Sequence, residues 1–346
     1  GLKANELNYS TLSSYGDEWV GVAYSGVLWE SIRQATQIVS MLPTIEVPQG
    51  AESIVMPLES TDPIWYKVAQ ATAMSSNPGG IATNTVTASR LGTASSTMTL
   101  AKLGARVIWT GEMEEDSMVP FVSELRRQLI TSGAEYLEAA VIDGDTAAGA
   151  TTNINYIVGT PGGLEYFMTV DGFRKLALVT NTANSRDGGV LASTDFLETL
   201  KLMGVGGVNA DKNKTGFIIG SAVHFKALEL ADVKSKDIFS AATIENGFLS
   251  AVYGYPIYIS HHMHKAATTR LALASGKVDG ATPTNGTTGS ILAVRWDQWR
   301  FGYKRRMTIE TTRIPAADST EIVALMRFGL INRDTEAAAI SYNLTV

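Results

Sequence analysis

The stretch from Trp109 to Asp145 constrains this chain more than any other, because it reads as one long amphipathic helix marked at both ends. Asp116 and Ser117 are N-cap residue types. Glu112, Glu114, Glu115 and Asp116 put negative charge where a helix dipole favours it, and Pro120 fits only a first turn. Gly144 follows Asp143 as a C-terminal glycine. The expected helix runs from about Met118 to Ile142, roughly 25 residues and roughly 37 Å. Phe121, Val122, Leu125, Leu129, Tyr136, Leu137, Ala140 and Val141 form one apolar stripe, with Glu124, Arg126, Arg127, Glu135 and Glu138 largely off it. Gly133, in the middle, marks a place where another element packs close.

The flanks read differently. Residues 1–18 are polar and predict an extended arm, followed by a helical pattern from Trp19 to Met41 that Pro43 stops. Strands are predicted at Ile45–Val47, Ser53–Glu59 and Pro63–Gln70, with a returning strand at Thr97–Trp109. Between them Ala73–Ser96 is small and polar, with Asn77-Pro78-Gly79-Gly80 as a turn signal. After the helix, short strands and loops are predicted at Asn155–Gly159, Leu164–Val170 and Arg174–Asn181. A helix at Asp195–Met203 follows, capped by Ser193 and Thr194 and ended by Gly204. Gly204-Val205-Gly206-Gly207 follows a helix rather than a strand and lacks phosphate-loop spacing, so it reads as a C-cap and linker.

A second unit follows, with a buried strand at Gly216–Gly220, a helix at Ser221–Asp232, a strand at Val252–Ser260 and a polar loop at Lys277–Gly289. Three strand-like segments, Ser290–Trp299, Tyr303–Ile314 and Thr320–Asp334, are expected to return to the sheet beside the long helix. Arg327 interrupts the last of them. A lone buried charge is costly, so it is expected either to pair with an acid or to lie at a subunit contact.

Composition narrows the function. At 346 residues and 45 % apolar content the chain has enough material for two cores. Its charged fraction of 18 % is below the roughly 25 % usual for soluble domains, which fits a subunit that hides surface in an assembly. A net charge of −6 argues against tight nucleic-acid binding. The absence of cysteine excludes disulfides and thiolate metal sites, and no run reaches the length of a membrane span. The chain opens on Gly1 rather than Met, as processing, a tag scar or truncation would leave it.

Candidate chemistry is sparse. His261, His262 and His264, with His224, are all the histidines; 262 and 264 share a strand face, but no HExxH-like motif surrounds them, and a solvated strand end is the expectation. No GxSxG elbow or triad context occurs. Glu114, Glu115 and Asp116 are accounted for as capping charge. Lys304, Arg305 and Arg306 have the chemistry to touch phosphate, or equally to meet acids such as those before the long helix in a neighbouring subunit. No catalytic, cofactor or metal residue is assigned.

The run from a β-type segment through an acidic turn into a long helix ending in Asp143-Gly144-Asp145 resembles the major capsid proteins of tailed double-stranded DNA bacteriophages, the Hong-Kong-ninety-seven-type shell fold. That resemblance implies an α+β subunit: a spine helix on an antiparallel sheet, an axial α/β domain, a projecting β-hairpin loop and an N-terminal arm. The corresponding division is 1–43 (arm and helix), 44–108 (extended loop, tip about 73–96), 109–208 (peripheral domain), 209–297 (axial domain) and 298–346 (return strands of the peripheral domain). It implies hexamers and pentamers of the chain itself, enclosing double-stranded DNA without sequence-specific binding. Portal, scaffold and decoration proteins are further partners, and the location is the virion after assembly in the host cytoplasm. Some members of the family join subunits by Lys–Asn isopeptide bonds; Lys67 and Asn343 have the residue types, but no motif carries the role over. An encapsulin-like nanocompartment shares the fold, and a histidine-metal hydrolase on an unrelated fold is the remaining alternative.

Overall fold

The computed structural model describes residues 36–67, 89–117, 121–149, 153–155, 162–208, 211, 213–230, 244–245, 248–260, 262–263 and 288–346. In chain order these form β1 (Thr44–Glu46), β2 (Ser53–Thr61), β3 (Gly92–Thr99), β4 (Ala101–Thr110), α1 (Gly111–Asp116), α2 (Phe121–Asp143), α3 (Phe173–Lys175), β5 (Ser185–Asp187), α4 (Thr194–Leu202), α5 (Val205–Val208), β6 (Thr215–Ile219) and α6 (Ser221–Glu229). The remainder are strands: β7 (Ile244–Glu245), β8 (Phe248–Leu249), β9 (Ala251–Val252), β10 (Tyr255–Ile259), β11 (Thr288–Arg295), β12 (Trp299–Ile314), β13 (Ser319–Asn332) and β14 (Ala338–Thr345). They pair as a four-stranded sheet, β1-β12-β13-β4, a six-stranded sheet, β5-β14-β11-β6-β10-β9, and two ribbons, β2-β3 and β7-β8.

The four-stranded sheet is built on the long β12–β13 hairpin, turned by a short helical turn at Pro315–Ala317 and by Asp318, whose φ of 40° is left-handed. Along β13, Ile322, Ala324, Met326 and Phe328 alternate inward and are buried, as a period of two requires. Helix α2 lies on that face. Leu129 packs with Trp109, Ile322 and Ala324, and one turn further on a Cβ at Gly133 would come within 2.2 Å of the Met307 Cε. The missing side chain is what lets the Met307 thioether lie against the helix.

Beyond Gly133 the helix enters a second environment. Leu137, Ala140, Val141 and Ile142 share one core with Phe173, Trp299, Phe301 and Phe328, and also with Ile218, Leu292, Val294 and Ile340 of the six-stranded sheet. That sheet is covered on both faces. Phe217 and Ile219 of β6 point the other way, against Phe196 and Leu200 of α4 and Val223 and Ala227 of α6. All five residues of β6 are buried, as in a strand covered on both sides. At the junction Glu138 of α2 is 3 % exposed, yet its carboxylate accepts from the backbone N–H groups of Gln37 (2.9 Å) and Ile38 (3.2 Å) and from the Ser260 hydroxyl (2.9 Å). Three donors offset the cost of burying the charge, and they tie the segment before β1 and the end of β10 to the helix.

Several expectations are corrected. The acids at 112–116 form a short helix of their own, α1, whose N-cap is Thr110, its hydroxyl accepting from the Met113 N–H (3.4 Å), while Glu114 accepts from the Trp109 indole (3.0 Å). Residues 118–120 lie outside the described residues. The predicted returning strand is two: β3 pairs with β2 and β4 with β13. Gly92–Ser96, assigned to the hairpin tip, belongs to β3, opposite Thr61 to Met56. Pro63–Lys67 is irregular rather than a strand, with Ile64 and Trp65 61 % and 96 % exposed. Leu164–Val170 holds only a 3-10 turn. Arg174–Thr180 is helical rather than a strand, a π-turn at Leu176–Thr180 continuing α3 with Leu176, Ala177 and Leu178 buried. The single strand expected at Val252–Ser260 is a tight hairpin, with Tyr253 (φ 53°) and Gly254 (φ 79°) supplying the two left-handed residues of a type I′ turn. Ser290–Trp299 contributes β11 to the six-stranded sheet, not to the sheet under α2. Residues 1–35 of the predicted arm and helix, and most of the polar loop at Lys277–Gly289, lie outside the described residues; the described end of that helix, 36–41, holds only a 3-10 turn at Val39–Met41.

Leu129→Asp puts an unpaired carboxylate between α2 and the sheet, so it is expected to cost several kcal/mol and to leave little folded protein. Leu125→Asp, at a half-buried position, is expected to cost less. Calorimetry of the two variants beside the parent checks both the depth and the orientation of the helix.

Candidate assembly surfaces and the charged end of the long helix

The sequence-picked residues do not converge. His224 is buried on α6 beside Phe225, and burial holds its pKa below the ordinary histidine value. His262 is half-buried, its N–H donating to the Ser260 hydroxyl (3.3 Å); His261 and His264 lie outside the described residues. Among the described residues no group of three or more His, Cys, Asp or Glu is placed to hold a metal ion. Gly204 has a φ of 56° and ends α4 as a left-handed C-cap, with Gly207 inside α5. Asn343, also left-handed, donates to Asp187 (3.0 Å), while Lys67 is exposed in another part of the chain.

The basic run splits three ways. Lys304 Nζ donates to the Ala51 carbonyl, Arg306 faces Glu46 (3.8 Å) and the Tyr303 ring (5.7 Å), and Arg305 stands directly opposite Arg327. Arg327 is half-buried and has Lys102 of β4 on its other side. Among the described residues no acid pairs with Arg327, so the first of the two expectations for it fails; it is the middle of a row of cations.

Two apolar features are open to solvent. Ile64, Trp65 and Tyr66 are exposed just beyond β2. Between α2 and β4 lies a cavity of about 210 Å³ lined by Leu103, Leu129, Gly133, Tyr136, Met307 and Met326, with the almost fully exposed Leu164 at its rim. Among the described residues strand β4 is an edge of its sheet, with no strand of those residues pairing its outer N–H and C=O groups.

The cluster most like an active site lies at the C-terminus of α2. Asp143 and Asp145 sit where the helix dipole disfavours negative charge, and α3 supplies the compensation. Arg174, with no exposed side-chain surface, reaches Asp143 (3.2 Å), and Lys175 bridges Asp145 and Asp171 (2.8 Å each). Asn153 Nδ2 donates to the carbonyls of Asp145 (2.9 Å) and Ala147 (2.8 Å), Asn155 Nδ2 donates to the Asp143 carbonyl, and Asp145 Oδ2 accepts from the Ile154 N–H (2.8 Å). Burial, and after it the charge of Asp143, pushes the Tyr166 hydroxyl well above the ordinary tyrosine range, so it stays neutral. Burial pulls Lys175 down, but its bonds to Asp145 and Asp171 outweigh that and raise it; burial pushes Asp171 up, and Lys175 and Thr146 outweigh that and lower it. Each carboxylate is thus committed to a cation or an amide. The arrangement fastens α3 to α2 rather than activating a nucleophile. Asp143→Ala removes the carboxylate that faces the buried Arg174 guanidinium and is expected to cost about 3–5 kcal/mol in chemical unfolding, much of it recovered by adding Arg174→Met. A lowered folded-state pKa at Asp171 stabilises above the unfolded value and is lost as pH falls below about 4. Because that side chain is 54 % exposed, Asp171→Asn is expected to flatten the acid limb of the stability profile only slightly.

No protein-family model matches the chain, and no curated protein does. Solved structures match along nearly its whole length. The capsid of a native GTA particle is 16 % identical with a TM-score of 0.62, covering 98 % of this chain and 100 % of that one. The capsid structure of the cyanophage P-SCSP1u is 14 % identical with a TM-score of 0.60 over 95 % of this chain and 94 % of that one. The asymmetric unit of the mature capsid of bacteriophage PhiM1 is 10 % identical with a TM-score of 0.58 over 93 % and 91 %. At such identities the likeness is one of fold: the chain is a mixed α+β protein with the phage capsid fold.

Proposed function

We propose that this chain is a structural subunit, a major capsid protein that assembles with copies of itself into the hexamers and pentamers of an icosahedral shell around double-stranded DNA. The observation that carries the reading is the match of this one chain, over 98 % of its length, to the whole length of a capsid subunit. On this reading α2 is the spine helix and, with the four-stranded sheet, the peripheral domain (109–208 and 298–346). The unit at 209–297 is the axial domain, completed by β5 and β14 at the edge and inside of its sheet. The β2–β3 ribbon belongs to the extended loop (44–108), which lies over an adjacent subunit, and residues 1–43 are the arm. Portal, scaffold and decoration proteins are its further partners, the virion is its location after assembly in the host cytoplasm, and a shell subunit requires no catalytic residue. The nanocompartment reading shares the fold, but the matching structures named above are a GTA particle and phages.

Physical chemistry supports the loop assignment. Trp65 is 96 % exposed on its own subunit, and burying an indole contributes on the order of 2 kcal/mol or more only where something covers it. Multiplied over a shell, such contacts decide closure.

Electron microscopy of the purified chain is expected to show closed shells; isolated monomers under all conditions would sink the reading. Trp65→Ser, and separately replacement of residues 73–88 by a short Gly-Ser turn, are expected to leave the thermal unfolding of the dissociated subunit within a few degrees of the parent and to abolish or misdirect shell formation. Normal shells from both would reduce this segment to a surface loop.

A further inference from the structure

We propose that Lys102, Arg327 and Arg305 form a docking row for the acidic turn α1 of an adjacent copy, engaging Glu112, Glu115 and Asp116. The proposal rests on the shell reading in one respect, that copies of this chain are each other's partners.

The register places the row. Lys102 of β4 is directly opposite Arg327 of β13, and Arg327 is directly opposite Arg305 of β12. Residues directly opposite in an antiparallel pair point to the same side, with Cβ atoms about 5 Å apart, and like charges so placed destabilise the sheet. Phe328, next along β13, is fully buried in the core, so the row faces away from it. A bulge puts Arg305 there. The pairing steps from Tyr303 to Arg305 while β13 advances only from Phe328 to Arg327, turning Arg305 to the outer face. Lys304 and Arg306 on either side are engaged within the chain, by Ala51 and Glu46.

Compensation is absent at this one place. Further along the same face Arg106 is paired with Glu321, whereas among the described residues no acid pairs with Lys102, Arg327 or Arg305. A row of three like charges held by backbone pairing calls for negative charge from outside.

The chain carries a match. Helix α1 follows β4 directly, and its Glu112, Glu115 and Asp116 are exposed with no basic partner among the described residues. Within one copy the two sets cannot meet. Lys102 stands near the start of β4 and α1 begins beyond its end, so roughly 30 Å of extended strand separates them, about three Debye lengths at ordinary salt. Opposite charges at opposite ends of one strand make a head-to-tail contact between copies, the kind of interface that closes rings. A DNA phosphate backbone is the competing anion. The chain's net charge of −6 and the three-to-three match favour the acidic turn.

The test reverses each set and then both. Lys102→Glu/Arg305→Glu/Arg327→Glu and, separately, Glu112→Lys/Glu115→Lys/Asp116→Lys are each expected to cut shell yield by about tenfold or more, while calorimetry of the dissociated subunit shows an intact fold. Chains carrying both reversals, or an equal mixture of the two variants, are expected to recover shells. Should a reversed row fail to fold, the neutral Lys102→Gln/Arg305→Gln/Arg327→Gln variant takes its place, with the same loss of assembly expected and an unfolding midpoint no lower than the parent's. Normal shells from either single set, or no recovery from the double reversal when both singles fold, overturn the pairing. Normal shells that bind a double-stranded DNA fragment more weakly overturn it in favour of a DNA contact. If the parent forms no shell, the shell reading fails by itself. Sedimentation of the same variants then reads the contact directly, since loss and charge-swapped rescue of self-association support the pairing and unchanged self-association overturns it.

Discussion

Everything in this fold depends on one helix face being buried against two sheets at once. The stripe of α2 meets the four-stranded sheet through Leu129 and the joint core through Leu137, Ala140, Val141 and Ile142. Each large apolar side chain so buried contributes about 1.5–3 kcal/mol, enough to hold the helix but not to fix its rotation or its axial position. Polar groups fix those. Glu138, within the buried stripe, has its three donors only at one setting of the helix, and Asp143 meets Arg174 only there. A slip of one residue along the axis would turn Glu138 by about 100° and leave a buried carboxylate without partners, so the alternatives are costly.

That arrangement makes the fold non-local. Strand β14, from the end of the chain, lies between β5 and β11, and β13 joins β12 to β4, some two hundred residues earlier in the sequence. The six-stranded sheet lacks an inner strand, and the core beside α2 lacks Ile340 and Tyr342, until the last residues are in place. Such a chain pays its loop-closure entropy late, a reason to expect slow folding and exposed strand edges on the way.

The sequence spoke clearly where a signal was both local and strong. The α2 stripe (except Tyr136, which is 50 % exposed, and Glu138, placed off the stripe but buried), the close approach at Gly133, the α4 and α6 helices, the buried β6 and the Gly204 stop each rest on a period or a residue with one dominant reason. It misled where a residue type has two uses. The acids at 112–116 read as charge before α2 because carboxylates favour any helix N-terminus, and nothing in the residue pattern signals that they also form a short helix of their own, α1. Tyr253-Gly254 reads as the middle of a strand unless tyrosine is allowed a left-handed backbone. Leu176-Ala177-Leu178 looks like a strand because burial on a widened helical turn leaves the same apolar run. The row of cations was beyond reach in principle, since only the register, with its bulge at Lys304, sets Arg305 against Arg327 and Lys102, residues far apart in the chain.

The exposed apolar side chains supply the remaining step. Trp65 projects beyond the hairpin, Leu164 rims the cavity beside α2, Val190 flanks β14, Leu197 and Val205 lie on the layer of α4 and α5, and Phe225 on α6. Single exposed apolar residues are ordinary on any soluble protein and carry weight only together with other features of the surface. Here they occupy separate elements of both sheets and of the hairpin, alongside an edge strand and a one-sided basic row. Covering one face would leave the others wet. On the shell reading proposed above, several such places suit a subunit that meets neighbours on several sides, and a low charged fraction suits it too, because charge at the centre of a contact must be matched or removed.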